Sequence, residues 1–276
     1  MSRAEAPNAN LIEYEFTGTV MIAKYKVHLI ALALVVLAEL AGKRVFNLGI
    51  GTIVLLPMLY ALLMGMLLGP KCFKLVSLDD MKKVSPFVAI SVMLLMARYG
   101  TLIGPQVDAL IKAGPAFLLQ ELGNLASILV AMPVALMLGL GRASVGATHS
   151  IAREPNVALI SDLFGLESEE GRGVMGVYIC GTLFGTIFFA LFAGWMTATP
   201  LHPLALAMAS GVGSASMSVA AAGSLATVLP EMEAEILAYA ATSNLLTGAT
   251  GLYASMFIGL PLASWLHRVW PFGRNK

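Results

Sequence analysis

The chain has 276 residues, of which 58% are hydrophobic and only 12% are charged, and its mean hydropathy is +0.83. A soluble domain carries about twice that charged fraction, so the composition excludes an ordinary soluble protein and predicts an integral membrane protein. The formal net charge of +1 gives no basis for nucleic-acid binding, and two widely separated cysteines give none for a disulfide framework or a zinc site.

Seven apolar runs have the length of about 20 residues that a helix needs to cross a bilayer. They cover residues 23–42, 48–69, 85–104, 115–139, 173–196, 203–227 and 237–266, and a less apolar eighth region covers 141–165. The runs lack the alternation of a β-barrel, and a backbone in lipid must satisfy its own hydrogen bonds, so they are predicted to be helices. The predicted fold class is an all-α polytopic membrane protein with about six to eight transmembrane helices.

Lys and Arg residues are concentrated in four segments, which the positive-inside rule assigns to one side of the membrane, the cytoplasm. These segments are the N-terminal end, the loop 70–84, the region 140–172 and the C-terminal end. Seven single crossings would leave one of the four outside, whereas a re-entrant hairpin at 203–227 leaves six crossings and keeps all four inside. An additional crossing within 141–165 would also return the termini to the same side, and this alternative stays open.

The domain prediction follows from these assignments. A single transmembrane transport domain covers residues 23–267, between a cytoplasmic N-terminal segment (1–22) and a cytoplasmic tail (268–276). Acidic residues precede the first apolar run, which argues against a cleaved signal peptide.

Residues 209–224, ASGVGSASMSVAAAGS, contain almost no large side chains although their surroundings are apolar. Glycine permits close approach and unusual backbone dihedrals, so the glycines here can break the helix. Broken helices at membrane depth expose backbone groups that bind ions and polar solutes. The predicted substrate-binding residues at this tip are Gly211, Gly213, Ser214, Ser216 and Ser218. Small-residue packing between helices is the alternative explanation.

A second segment has a similar sequence. Residues 139–144, GLGRAS, match residues 211–216, GVGSAS, at four of six positions, and each segment follows a long apolar run. Those two runs have opposite directions in the six-crossing arrangement, and helix-then-hairpin units of opposite direction form inverted repeats in secondary transporters. Two such hairpins are predicted to meet near the bilayer midplane and to form one site.

Polar residues crowd the chain just after this second segment. Thr148, His149, Ser150 and Arg153 are predicted to bind substrate as well. Arg153 can hold a carboxylate through two hydrogen bonds, and His149 can carry a proton near neutral pH. The alternative is an ordinary cytoplasmic loop in which Arg153 only obeys the positive-inside rule.

Polar side chains inside the spans predict a site for a coupling ion, either Na⁺ or H⁺. The predicted ligands are Glu121, Asn124, Ser243, Asn244 and Thr247, and no metal other than sodium is expected. Glu121 and Asn124 are three residues apart and share one helix face. Two alternatives stay open: Glu121 forms a structural ion pair with Arg98, and the polar residues of the last run form interhelical hydrogen bonds.

Three blocks of the sequence carry a resemblance. GATHSIAREPNVALI (146–160), GVGSASMSVAAAGSLA (211–226) and SNLLTGATGLY (243–253) resemble an uncharacterised family of bacterial inner-membrane proteins over most of residues 45–267. More loosely, the two glycine-rich broken segments resemble small inverted-repeat secondary transporters, such as ketodeoxygluconate permeases, 2-hydroxycarboxylate transporters and bile-acid-type sodium symporters. The resemblance implies a multi-pass protein of a bacterial inner membrane and an elevator motion, and it assigns no functional residue.

The leading functional hypothesis is an ion-coupled secondary transporter for a small polar solute, an organic anion or an amino acid. The alternatives are a channel or a non-transporting assembly protein. An intramembrane enzyme that uses His149, Arg153 and Glu154 is a less favoured alternative, because the chain lacks HExxH and GxSxG motifs. ATP hydrolysis is not predicted, because the chain lacks a Walker A motif. The expected partners are the solute and the bilayer; a homodimer fits a carrier of this size, although nothing in the sequence indicates it.

Overall fold

The computed structural model describes residues 18–47, 52–149 and 154–269, and these residues are mostly helical. The first half contains helices α1 (Gly18–Ala41), α2 (Pro57–Leu68), α3 (Leu78–Ile103), α4 (Val107–Lys112) and α5 (Gly114–Met137) and strands β1 (Arg44–Asn47) and β2 (Thr52–Leu55). The second half contains α6 (Ala143–Thr148), α7 (Glu154–Phe164), α8 (Glu169–Cys180), α9 (Thr186–Met196), α10 (Pro203–Ser210), α11 (Ala215–Val228), α12 (Glu233–Ala254) and α13 (Leu260–Val269). π-helical turns at Gly181–Gly185 and Ser255–Gly259 join α8 to α9 and α12 to α13, so each pair forms one continuous helix.

Two of the described helices are long and apolar enough to cross a bilayer, namely Gly114–Met137 and the continuous stretch Pro230–Val269. Three shorter apolar helices are Pro57–Leu68, Thr186–Met196 and Ala215–Val228. Helix α5 also exposes a row of large apolar side chains that water would disfavour: Leu118, Leu122, Leu129, Val130, Val134 and Met137. These features support a helical membrane protein, and the count of six to eight crossings stays a prediction.

The helix predicted over 48–69 is wrong at its start. Strand β2 pairs with β1 as an antiparallel two-stranded sheet, with Arg44 opposite Leu55 and Asn47 opposite Thr52. The sequence of β2, TIVL, is rich in β-branched residues, which favour a strand. Pro57 then begins α2, because its fixed φ suits the first helical position. The all-α prediction therefore misses one hairpin, whose connecting residues 48–51 lie outside the described residues.

Helices α9 and α11 run parallel to each other. Residues of α9 meet residues of α11 that lie 30 positions later: Thr186 with Ser216, Ala190 with Ala220, and Gly194 with Ser224. Since α9 ends at Met196 and α11 begins level with Thr186, the intervening α10 must carry the chain back along α9. The predicted run 203–227 is therefore two short helices that reverse at residues 211–214, and not one continuous helix.

The register between α9 and α11 also explains most of the small residues that follow the reversal. Side chains spaced four apart on α11, from Ser216 to Ser224, pack against an equally small row on α9. Small rows of this kind let two helix backbones approach closely. The two explanations given for residues 209–224 thus apply to different parts: the break lies at 211–214, and the packing row follows it.

Two further pairs of helices run parallel. Contacts between α5 and the α12–α13 helix advance along both chains in the same direction: Phe117 with Tyr239, Gln120 with Ser243, and Ile128 with Gly259. Helices α1 and α3 are parallel as well, because Lys26 pairs with Asp80 and His28 packs on Phe87. Three buried apolar clusters lie in the described part of the chain: one around Leu225 and Ile236, one around Met132 and Val174, and a smaller one of Leu59, Ala190 and Ala220.

The N-terminus of α3 is fixed by a reciprocal cap. The Asp80 backbone N–H donates to Ser77 Oγ, and the Ser77 backbone N–H donates to Asp80 Oδ2, both at 3.1 Å. Lys26 of α1 donates to the same carboxylate oxygen at 3.1 Å. The Ser77 N–H, followed by the Lys26 ammonium group, lowers the pKa of Asp80 to about 2. The cap precedes the predicted span 85–104, so it lies outside the membrane.

Asp80→Asn is expected to lower the thermal stability slightly at neutral pH. The ionised carboxylate stabilises the fold above its ordinary pKa of 3.8, and that contribution is lost as the pH falls toward about 2. The difference in unfolding temperature between wild type and variant should therefore shrink across this pH window. A difference that persisted unchanged below it would show that the charge of Asp80 does not contribute.

Candidate functional site

The reversal between α10 and α11 is the centre of the candidate site. Helix α10 ends with Gly211 as its C-cap, and α11 begins after Ser214, whose Oγ accepts a hydrogen bond from Met217 N at 3.4 Å. Gly211 is buried, and an added Cβ there would overlap the Ala240 carbonyl oxygen and the Ser243 side chain. Only glycine fits this close approach to α12. The φ of Gly211, −74°, is one that any residue adopts, so the need for glycine here comes from packing against α12.

Asn244 ties the reversal to α12. Its Nδ2 donates to Gly211 O at 2.8 Å and to Gly213 O at 2.9 Å, and its side chain is buried. The neighbouring Ser243 Oγ donates to Met208 O at 2.7 Å. The Met208 carbonyl also accepts the Gly211 N–H at 3.0 Å, so Ser243 gives it a second donor, while Asn244 supplies donors to the two carbonyls of the reversal. The structure therefore brings Ser243 and Asn244, which were predicted as ion ligands, to the tip as hydrogen-bond donors.

A group of polar side chains surrounds Glu121 on α5. We call Gln120, Glu121, Ser243, Thr247 and Thr250 the carboxyl cluster. Gln120 Nε2 donates to Ser243 Oγ at 2.7 Å and to Thr247 Oγ1 at 3.3 Å. Thr247 Oγ1 lies 2.7 Å from Glu121 Oε1, and Thr250 Oγ1 lies 2.6 Å from Glu121 Oε2. The predicted partners Glu121 and Thr247 are thus in direct contact, whereas Arg98 is exposed on α3.

A cavity of about 740 Å³ opens beside the tip, between α5, α9, α10 and α11. We call it the tip cavity. Its polar lining comes from Gln120, Ser127 and Ser210, and Gly213 contributes backbone. Its walls are otherwise apolar, and include Leu119, Phe189, Met208 and Met217. The volume falls in the usual range of small-molecule sites, about 300–1,000 Å³.

The other predicted tip serines are engaged in the protein. Ser216 Oγ lies 3.1 Å from both Thr186 Oγ1 and Ser214 Oγ, and Ser218 is buried. Gly213 lines the tip cavity, and Ser214 caps α11. The tip therefore offers backbone and the N-terminus of α11 to the cavity.

The first glycine-rich segment lies elsewhere. Thr148 and His149 are buried and are not among the residues that line the tip cavity. Thr148 Oγ1 donates to Ser144 O at 2.9 Å, and His149 Nδ1 lies 2.9 Å from Gly146 O. Thr148 also contacts Met132, which lies 12 residues beyond Gln120 on α5, or roughly 18 Å along the helix. The described residues therefore do not show the two segments sharing one site.

Three predicted residues have no described side chain. Ser150 and Arg153 lie outside the described residues, and so does the side chain of Asn124. Their predicted roles stay predictions. Gln120 and Thr250 were missed, although each had a signal: Gln120 directly precedes Glu121, and Thr250 is three residues after Thr247, on the same helix face.

The two similar glycine motifs differ in conformation but occupy similar positions. Gly139 and Gly141 have φ values of 78° and 54°, whereas Gly211 has a φ of −74°. In both segments, however, the next helix begins at the alanine of the motif, Ala143 or Ala215. The two motifs therefore precede helices that begin at the same motif position, although the turns before these helices differ in backbone conformation.

A family profile described as "Protein of unknown function (DUF3100)" matches residues 36–269 of this chain. The chain belongs to the DUF3100 family. This agrees with the resemblance to an uncharacterised family, and the DUF3100 match includes the tip, the carboxyl cluster and the tip cavity. Comparison of this DUF3100 protein with curated proteins and with solved structures gives no match, so the looser resemblance to secondary transporters has no support from similarity.

Proposed function

We propose that the protein is an ion-coupled secondary transporter that carries a small solute with a carboxylate group, an organic anion or an amino acid, across a bacterial inner membrane. The observation that carries this proposal is the helix reversal at 211–214, which borders a cavity of about 740 Å³ and is tied to a buried polar cluster. Broken helices that expose backbone to a cavity are the usual substrate and ion sites of such carriers.

The helix directions support six crossings. Helices α1 and α3 are parallel, so the chain returns between them, and β2 with α2 spans roughly 30 Å, enough for one crossing. Helices α5 and α12–α13 are parallel too, so an odd number of crossings separates them. The continuous α8–α9 helix supplies one, and α10–α11 doubles back and supplies none. Helices α6 and α7 together then supply no net crossing, so the start of α1 and the end of α13 lie on the same side, which the positive-inside rule assigns to the cytoplasm.

The spacing of the broken elements supports an inverted repeat. The glycine motifs begin 72 residues apart, at Gly139 and Gly211, and the π-helical turns begin 74 residues apart, at Gly181 and Ser255. Each π-helical turn touches the broken segment of the other half: Met217 lies against the glycines of Gly181–Gly185, and the His149 carbonyl lies against Gly259. If the two halves were related by a two-fold axis, each half would contact the other through the same pair of elements, as these two contacts do.

The tip cavity favours a solute with an apolar body and one anionic end. Leu119, Phe189 and Met208 form apolar walls. The N-terminus of α11 borders the cavity at Met217, and the positive end of its helix dipole favours a carboxylate there. A short organic acid or an apolar amino acid meets both conditions.

Uptake by purified protein in liposomes tests this function. Labelled amino acids and short carboxylates are supplied under imposed ion gradients, and we expect saturable uptake of one class that collapses when the gradient is removed. Ala209→Trp should fill part of the tip cavity, so the indole ring and the solute compete for the same volume and solute affinity should fall on the order of tenfold or more.

Ala234→Trp is the matched control, because Ala234 is exposed near the start of α12 and is not among the cavity-lining residues. This variant should keep wild-type uptake. Flux that does not saturate would instead indicate a channel, and unchanged uptake by Ala209→Trp would exclude the tip cavity as the binding site.

A further inference from the structure

We propose that the solute of the tip cavity is an amino acid with an apolar side chain, held through both its carboxylate and its ammonium group. The inference rests on the transporter function proposed above, and it chooses between the two solute classes that this function left open. Three observations carry it: the uncharged lining of the cavity, the two helix ends that meet at the tip, and two oxygen acceptors that lack donors.

None of the described residues that line the tip cavity carries a charge. A solute with only a carboxylate would therefore enter apolar surroundings without a counter-charge from these residues, and burying an unpaired charge is costly. The ionisable residue that follows Gln120 on α5 is Glu121, an acid, which supplies no positive charge either. A zwitterionic amino acid carries its own counter-charge, so its net charge in the cavity is zero.

The tip presents two helix ends of opposite polarity to the cavity. Helix α10 ends at Ser210, which lines the cavity, and α11 begins at Ala215 and reaches the cavity at Met217. The C-terminal end of a helix has a partial negative charge, and the N-terminal end has a partial positive charge. Broken helices of transporters use the first for cations and the second for carboxylates. Both charged groups of an α-amino acid are bonded to one carbon atom, so a single molecule can face both ends.

Two residues that line the cavity offer oxygen atoms to an ammonium group. Gln120 Oε1 is buried and has no hydrogen-bond partner among the described residues, although Gln120 Nε2 donates to Ser243 and Thr247. No described donor is directed at the Ser210 carbonyl oxygen, because α10 ends at this residue. An enclosed acceptor without a donor is unfavourable, so a solute that supplies the hydrogen gains free energy on binding.

The carboxylate faces the start of α11. The first four N–H groups of a helix have no intrahelical acceptors. Ser214 accepts from Met217 N at 3.4 Å through its Oγ and from Ser218 N at 2.8 Å through its carbonyl. The N–H groups of Ala215 and Ser216 have no acceptor among the described residues, so they are available to a ligand at this helix end.

The rest of the cavity accommodates the side chain of the amino acid. Leu119, Phe189, Met208 and Met217 form its apolar walls, and an apolar side chain gains free energy by burial against them. A charged side chain would find no described residue of opposite charge in the lining. Leucine and phenylalanine are therefore suitable probes.

Binding to the full-length purified protein tests the role of the ammonium group. Leucine and phenylalanine are compared with 4-methylpentanoate and 3-phenylpropanoate, which keep the side chain and the carboxylate but lack the amine. Each amino acid should bind about tenfold or more tightly than its deaminated analogue. The amine 3-methylbutylamine, which lacks the carboxylate of leucine, should also bind more weakly than leucine.

Two variants test the part played by Gln120. Gln120→Met removes the acceptor and keeps the length of the side chain, so it should lower the affinity ratio of leucine to 4-methylpentanoate about fivefold or more. Phe189→Leu is the matched control on the apolar wall, and it should weaken both ligands while leaving their ratio unchanged. Because the measured quantity is a ratio, a general loss of stability in either variant does not imitate the expected result.

Equal binding of leucine and 4-methylpentanoate would overturn the proposal, as would failure of both amino acids to bind or an unchanged ratio in Gln120→Met. If liposomes show saturable, gradient-dependent uptake of 4-methylpentanoate but not of leucine, the transporter function stands and this inference fails. If leucine binds with the expected ratio but is not carried, the transporter function fails and the amino-acid site stands.

Discussion

Gly173→Ala should destabilise the folded protein by roughly 3 kcal/mol or more, at the upper end of the cost of overpacking. Gly173 is buried where α8 crosses α6, and an added Cβ would overlap the Ala143 carbonyl oxygen. The reciprocal contact is equally close, because a Cβ on Gly146 would overlap the backbone of Glu170. Backbone meets backbone at both places, so no flexible side chain can move away and the helices must separate.

Gly176→Ala provides the control on the same helix. Nothing lies within 4 Å of a Cβ built at Gly176, and the residue is exposed. Alanine is a better helix former than glycine by about 0.5–1 kcal/mol, so this variant should be neutral or slightly more stable. Denaturant unfolding of both variants in the same detergent measures the difference. Equal stabilities would contradict the close crossing of α6 and α8.

Asn244→Asp should have the largest effect at the candidate site. It removes the only donors that Asn244 offers to Gly211 O and Gly213 O, and it places a carboxylate against those two carbonyl oxygens. Leaving a buried acceptor unsatisfied costs about 1–3 kcal/mol, so two such acceptors predict a loss of about 2–6 kcal/mol at neutral pH. The tip should loosen, and solute binding should be lost with it.

Thr242→Val is the control for Asn244→Asp, two residues earlier on α12. Thr242 Oγ1 is buried and has no hydrogen-bond partner among the described residues, so replacing the hydroxyl by a methyl group should leave stability unchanged or raise it slightly. Thermal unfolding and liposome uptake should be recorded for both. If Asn244→Asp kept the wild-type unfolding temperature and uptake rate, the hydrogen bonds of Asn244 to the tip would contribute neither to stability nor to transport.

The residues that sequence reasoning placed best are those whose chemistry is unusual in lipid. Gly211 and Gly213 marked the broken helix, and Glu121 and Asn244 marked polar contacts, because a buried polar group in an apolar run must find a partner. Their partners were harder to predict. Asn244 was expected to bind a cation, but its amide hydrogens are donated to backbone carbonyl oxygens. These carbonyls can accept a side-chain donor because the helix ends at residue 210.

Other features depend on contacts between distant parts of the chain. The reversal of α10 and α11 follows from the register of α11 against α9, in which contacting residues are 30 positions apart in the sequence. A hydropathy profile does not contain information about which residues of two helices contact each other. The strand Thr52–Leu55 was not predicted, because a short apolar segment fits a strand and the start of an apolar helix equally well. The identical letters of Gly139 and Gly211 adopt opposite signs of φ, since tertiary contacts select the turn.

The row of small side chains between α9 and α11 has a mechanical consequence. Because both rows repeat every four residues, sliding α11 by one turn, about 5.4 Å, would bring Ser216 opposite Ala190 and Ala220 opposite Gly194. Small would again face small, and no bulky side chain in either row would block the path. The small rows alone therefore do not fix the position of α11 along α9, and the packing of Met217 against Gly185 sets the register.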